Sequence, residues 1–320
     1  MKYLMRRAFH GIVLLFGVSL FSFLLAQLAP GDYLAEARLN PQISPQTVAA
    51  LRAQYGLDRP FVSRYLSWAK SVLKGDLGFS FAYNSPVASL LWPRVCNTLI
   101  LTVTSTAIAW FIALILGLAS ASRRGGWVDR ICGLGNSALL AIPDLVLALA
   151  LLLLALRTGL FPTGGMSSVG SEALPFWGKA TDLARHLSLP CAALVLGTLP
   201  VLVRHLRAAM IEVIDAPFVR TALAHGIPRG RILWRQVLPA AANPLISLLG
   251  ISIGTLLSSS LLIEVIMSWP GLGPMTLEAI FARDFHLVIG SIMFSTVYLV
   301  SGNLFADLLL YAVDPRIRKE

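Results

Sequence analysis

Apolar residues in this chain fall in long blocks rather than in the alternating stripes of a soluble fold. Six blocks are near the length of about 20 residues that a helix needs to cross hydrocarbon. They cover residues 11–29, 97–120, 133–156, 186–203, 240–266 and 287–313. Between the first two lies a mixed, polar stretch, residues 30–96, that opens with Pro30-Gly31-Asp32. Within it, Ser44 followed by Pro45 predicts the start of a short helix carrying Val48, Leu51 and Tyr55 on one face. Residues 61–73 predict a second amphipathic helix with Tyr65, Trp68 and Leu73 on its apolar side. The pattern therefore predicts an all-α, polytopic membrane protein with six transmembrane helices and a small outer helical subdomain. Its parts are a tail and first span (1–29), an extracytoplasmic subdomain (30–96), a five-helix core (97–313) and a short cytoplasmic tail (314–320).

Composition agrees. Of 320 residues, 56% are hydrophobic and 13% charged, whereas soluble domains are about 45–50% apolar and about 25% charged. The basic start, residues 1–7, precedes an apolar run too long for the core of a secretory signal. No small-x-small cleavage site follows, so a retained first helix is expected. The net charge of +10 would suggest nucleic acid in a soluble protein. Here the basic residues flank apolar spans and set their orientation instead. With both termini in the cytoplasm, the inner loops hold Arg123, Arg124 and Arg130, then Arg204, Arg207, Arg220, Arg229, Arg231 and Arg235. The short outer loops hold only Arg157, Lys179, Arg185 and Arg283. Cys96, Cys132 and Cys191 lie far apart, with no metal-ligand spacing, and are expected to be buried thiols. The histidines are as scattered, and no metal is assigned.

Residues 204–239 form a basic loop of unusual length between two spans. Asp215-Ala216-Pro217 predicts a helix start, and Phe218, Thr221, Ala222 and His225 follow at helical spacing. Gly226 should end that helix in a left-handed cap, and Pro228 should begin a second one through Ile232, Leu233 and Val237. The small residues Ala222, Ala224 and Gly226 suit a surface that a partner approaches closely.

The run Phe218-Val219-Arg220-Thr221-Ala222-Leu223-Ala224-His225-Gly226, closed by Leu238-Pro239, resembles the EAA loop of bacterial ABC importer permeases. Its Arg-Thr-Ala form is similar to that of the oligopeptide/dipeptide/nickel subfamily, although Gln236 stands where the motif usually has Ile. Four further stretches resemble the same subfamily in the same order: residues 28–32, 75–80, 123–130 and 268–273. The end, Asp314-Pro315-Arg316-Ile317-Arg318, does so too. The resemblance covers essentially the whole chain and is to the B-type permease. It implies the type I importer permease fold, a homologous second permease and two cytoplasmic ATPases gripping the EAA loops. It also implies an extracytoplasmic substrate-binding protein and residence in the bacterial inner membrane. ATP and magnesium would be used by the partners, with no cofactor held by this chain. Consistently, the sequence has no G-x-x-x-x-G-K-[ST] phosphate loop; Gly178-Lys179 is followed by Ala180.

Gly250-Ile251-Ser252-Ile253-Gly254 matches G-x-S-x-G, which raises an intramembrane hydrolase using Ser252 or Asp144 as a second reading. That motif needs a strand–turn–helix setting. Inside an apolar span, Gly250 and Gly254 fit a close helix contact better. Charges within spans are costly and mark sites. Asp144 follows Pro143, which should kink its span, and is expected near mid-membrane. It either bonds to a neighbouring helix or lines a pathway that attracts a cationic substrate end. Glu264 and Asp307 recur in the family pattern, which implies a structural role, and Asn303 shares a helix face with Asp307. The substrate stays open among short peptides, nickel chelates, glutathione and sugars. An exporter or a channel is the remaining transport alternative. The topology is checked by single-cysteine labelling of intact cells: positions 68 and 179 should react from outside, and positions 220 and 318 only after permeabilisation.

Overall fold

The computed structural model describes residues 2–28, 46 and 60–314. The helix expected after Ser44 and the segment after Asp314 lie outside the described residues. Apart from a two-residue hairpin, regular structure here is helical. The helices are α1 (Lys2–Leu28), α2 (Phe61–Leu73), α3 (Val87–Ser122), α4 (Trp127–Leu140), α5 (Asp144–Thr158) and α6 (Phe176–Ile214). They continue with α7 (Pro217–Ala224), α8 (Arg229–Ile232), α9 (Leu238–Ala240), α10 (Ala242–Ile266), α11 (Leu272–Phe281) and α12 (Phe285–Val313). Strands β1 (Phe79–Ser80) and β2 (Ser85–Pro86) pair antiparallel.

Helices α1, α3, α6, α10 and α12 are long and apolar enough to span a membrane, and α4 with α5 is a bent pair long and apolar enough together to make a sixth, broken span. The break corrects one expectation: the block 133–156 is two helices bent by 97°, not one kinked span. Pro143 has no N–H to continue α4, and it disfavours helical geometry at Ile142. The chain instead closes α4 with Ala141 N bonded to Ser137 O and Ile142 N to Leu139 O, at 3.2 and 3.1 Å. It starts α5 afresh with Leu147 N on Pro143 O, at 3.0 Å. Elsewhere the helices outrun the apolar blocks. α3 begins at Val87, ten residues before its block, and α6 passes both edges of 186–203.

The chain forms two compact units. The first contains residues 99–269 with the outermost parts of α1 and α12. Its centre is α6, which packs against α4, α5 and α10. In its most apolar stretch 61% of residues are buried, against 11–33% in the other spans, so α6 meets protein while they also present faces to lipid. Close approach is built in: a Cβ on Gly117 would lie 2.9 Å from Leu206 Cβ. Gly250 and Gly254 of α10 face Asn303, Ala306 and Leu299 of α12, which is the helix contact expected there. Cys191 is buried, but Cys96 and Cys132 are only half-buried.

The second unit contains residues 9–28, 60–98 and 270–298. Phe23 is its aromatic centre, 5.5 Å from Tyr65, 5.8 Å from Trp68 and 4.8 Å from Phe285 between ring centroids. Leu73, expected on the buried side of α2, is 88% exposed. Seven residues on from Tyr65 is two helical turns, so Val72 takes the packed position. The hairpin is held by Asp284, a fully buried carboxylate. It accepts bonds from Ser80 Oγ (2.7 Å), Ala82 N (3.1 Å) and, as the cap of α12, Leu287 N (3.1 Å). Beside it, Gly78 at φ +97° leaves room for His286: a Cβ there would sit 2.8 Å from the imidazole. The stretch 75–80 is thus an anchor for the hairpin. Tyr83 donates to Glu278, and the neighbouring carboxylate holds the phenol above its ordinary pKa.

Replacing Asp284 by Ala leaves three donors without an acceptor, each costing about 1–3 kcal/mol. Thermal unfolding in detergent should show a large loss for Asp284→Ala, a smaller loss for Ser80→Ala and none for Lys70→Glu.

Candidate functional site

The basic loop is more ordered than its polarity suggests. α6 continues to Ile214, Ala216 caps α7 and Pro217 takes its first position, where a missing N–H costs nothing. α7 ends in a Schellman cap. Ile227 N bonds to Ala222 O at 3.2 Å, Gly226 N bonds to Leu223 O at 3.0 Å, and Gly226 adopts φ +75°. No atom lies within 4 Å of where a Cβ on Gly226 would be, so backbone conformation alone selects glycine there. Pro228 caps α8, which passes into a π-helical turn, Leu233–Val237, before α9. A π turn carries one residue more than the α ladder and often marks a functional segment.

The faces of α7 divide cleanly. Val219 and Ala222 point into the core of their unit, at 2% and 7% exposure. Phe218, Arg220, Thr221, Leu223, Ala224, His225 and Gly226 are exposed. This corrects the role expected of Ala222, whose small side chain lets α7 lie on its own protein and is not left for a partner. Leu238 is half-buried and Pro239 exposed. They line an apolar groove of about 270 Å³ with Trp110 and Leu245.

Asp144 opens α5, where a carboxylate also suits the positive end of the helix dipole. One oxygen accepts a bond from Ser259 Oγ of α10 at 3.1 Å. The other faces Gly197 of α6, where a Cβ would stand 2.8 Å away. Asp144 nevertheless stays exposed, and Thr255 and Ser258 are exposed on α10 beside Ser259. A carboxylate and three hydroxyl-bearing residues therefore share one polar face in an otherwise apolar region. The other charged candidates do not join it. Glu264 is fully buried. Asp307 forms an ion pair with Arg7 Nε at 3.4 Å. Asn303 faces Gly250.

Ser252 is not a nucleophile. It lies in the middle of a continuous helix, donates to Leu249 O at 2.8 Å and accepts from Trp110 Nε1 at 2.9 Å. Sequence reasoning missed Ser259 and Gly197. Ser259 is the middle of three consecutive serines with nothing local to single it out, and nothing in one dimension shows which carboxylate a glycine admits.

The profile of the binding-protein-dependent transport system inner membrane component family matches residues 113–319. That of its N-terminal component matches residues 1–102. The chain is 34% identical to the oligopeptide transport system permease protein AppB of Bacillus subtilis (strain 168), over 98% of both chains. It is 32% identical to the dipeptide transport system permease protein DppB of Escherichia coli (strain K12), over 99% of both. Among solved structures, an inward-facing form of the MetNI methionine ABC transporter superposes with a TM-score of 0.56. Identity there is 20%, covering 70% of this chain and 96% of that one, which shows a shared fold.

Proposed function

The chain belongs to the binding-protein-dependent transport system inner membrane component family, and on that premise we propose that it is one of two homologous permease subunits of an ATP-driven importer of short peptides. Peptides are favoured over the other solutes of this scaffold because the relatives matched along the full chain are named for oligopeptide and dipeptide transport. In this reading both termini are cytoplasmic, and a soluble binding protein delivers substrate from outside. Two ATPases bind inside and carry out ATP hydrolysis with its magnesium ion, while this chain is not an enzyme.

The observation that carries the reading is the two-faced helix α7. Its inner face, Val219 and Ala222, is packed into the core. Its outer side exposes Phe218, at 49%, and Arg220, which project to opposite flanks of it. An apolar anchor on one flank and a guanidinium on the other suit a cleft on a partner that takes both sides of the helix: burial for Phe218 and charge-assisted hydrogen bonds for Arg220. Force applied there passes directly into α6, since only Asp215 and Ala216 separate the two helices.

Asp144 supplies substrate chemistry in the same reading. Its carboxylate, with Ser259 and the exposed Thr255 and Ser258, gives the wall of a pathway an acceptor for a peptide's ammonium terminus.

Two experiments test the reading. Gly226→Asp places a side chain at positive φ, costing about 1 kcal/mol or more, and adds negative charge to the exposed corner after α7. It should leave membrane insertion and permease pairing intact while co-purification of the ATPase and uptake both fall. The control Lys70→Glu, in α2, should change neither. Ala222→Glu should instead lower the amount of folded chain, since Ala222 is buried within it. Full ATPase binding and uptake in Gly226→Asp would refute the role of the loop.

The second experiment compares uptake of tri-alanine with that of its N-acetylated form. A charge-assisted hydrogen bond contributes about 1.5–3 kcal/mol. Asp144→Asn should therefore reduce tri-alanine uptake about tenfold or more and acetyl-tri-alanine uptake little. Equal loss for both peptides would make Asp144 structural.

A further inference from the structure

The inner loop between α3 and α4 ends in a carboxylate with four donors. Asp129, in the first turn of α4, accepts from Arg207 Nε at 2.6 Å and from Arg207 Nη2 at 2.8 Å, a bidentate fork. It also accepts from Gly125 N at 2.9 Å and from Ser120 Oγ at the end of α3. The Asp129 side chain is 11% exposed and that of Arg207 36%. One carboxylate thus ties the end of α3, the loop, the start of α4 and the inner half of α6 into a single node. A second pair, Arg124 to Asp215 at 3.2 Å, joins the same loop to the residue that ends α6. It is exposed on both sides and adds little stability.

The position of this node matters more than its strength. Arg207 lies about 10 Å along α6 from Ile214, where the helix gives way to α7. In the other direction, Gly197 lies about 15 Å away and holds Asp144. The broken span therefore meets α6 at two places, through the Asp129 fork at the foot of α4 and where Asp144, at the head of α5, packs against Gly197. Between them lies the 97° bend. α4 contributes no fully buried residue of its own. It packs on α6 through partly exposed residues, and the forked contact adds a directional bond that bears on its register.

We propose that the Asp129–Arg207 pair is a positioning contact that carries movement of the α6–α7 corner to the broken span, and so to the polar face at Asp144. This rests on the reading of α7 as the ATPase contact. A point charge in place of the fork would hold α4 near α6 without fixing its angle, so geometry and not charge alone is required.

The test uses the assembled transporter in lipid, with the chain's cysteines replaced and one reporter cysteine, Thr255→Cys, on the exposed face of α10. In the parent complex, ATP with vanadate should change the rate at which a water-soluble maleimide labels the reporter. In Asp129→Asn the ATPase should still co-purify and hydrolyse ATP. The nucleotide effect on labelling should shrink about tenfold, an ordinary size for coupling between sites. Arg207→Lys should give an intermediate loss. If Asp129→Asn fails to assemble, Arg207→Lys decides alone. An undiminished nucleotide effect in a variant that assembles would overturn the proposal. Failure of the ATPase to bind the parent complex, or of nucleotide to alter labelling in it, would instead overturn the reading of α7.

Discussion

α6 is the constraint on which the larger unit depends. Among hydrocarbon tails an apolar side chain gains no hydrophobic energy by facing protein, so helices hold together through close packing and polar contacts. α6 supplies both. Its buried residues include Leu194, Leu202, Leu206 and Met210. It lets Gly117 come against Leu206, and it receives Asp144 at Gly197. It carries Pro190 and Pro200 within its length, at the loss of two backbone donors. Neighbours on several sides make that loss tolerable.

The break between α4 and α5 follows from the same rule. A helix interrupted in a membrane must satisfy its freed backbone groups locally or against protein. Here the turn 141–143 closes on its own carbonyls, and Asp144 meets the hydroxyl of Ser259. The interruption brings a carboxylate to a face it shares with hydroxyl-bearing residues of α10. A straight, kinked span would have spread α4 and α5 along one axis. The right-angle turn instead leaves α4 packed on α6, with Asp129 at its first turn as the forked polar contact between them.

The Arg-Thr-Ala loop was legible because its signals are local. Pro217 at a first helical position and Gly226 at a left-handed cap each state their conformation through their own backbone restrictions, and the structure has both. The fully buried carboxylate Asp284 carried a local signal too, an Asp before an apolar run, yet its second task lies 204 residues away at Ser80. Ala222 shows the limit from the other side. Its small size was read as room for a partner, yet it is buried within its own unit, because size cannot say whether the approaching surface belongs to the same chain.

What the sequence by itself determined is the membrane-spanning, helical character of the chain, the approximate places of its spans and the punctuation of the Arg-Thr-Ala loop. Each of these depends on interactions with solvent, lipid or residues within a few positions. Only the tertiary structure decided that residues 133–156 turn through 97°, that Ser259 and Gly197 receive Asp144, and that Arg207 forks onto Asp129 across 78 positions. Such pairings are chosen by which helix surfaces come into contact. In a chain with many apolar faces of similar composition, that choice rests on shape and on a few polar groups, and helical periodicity does not encode it.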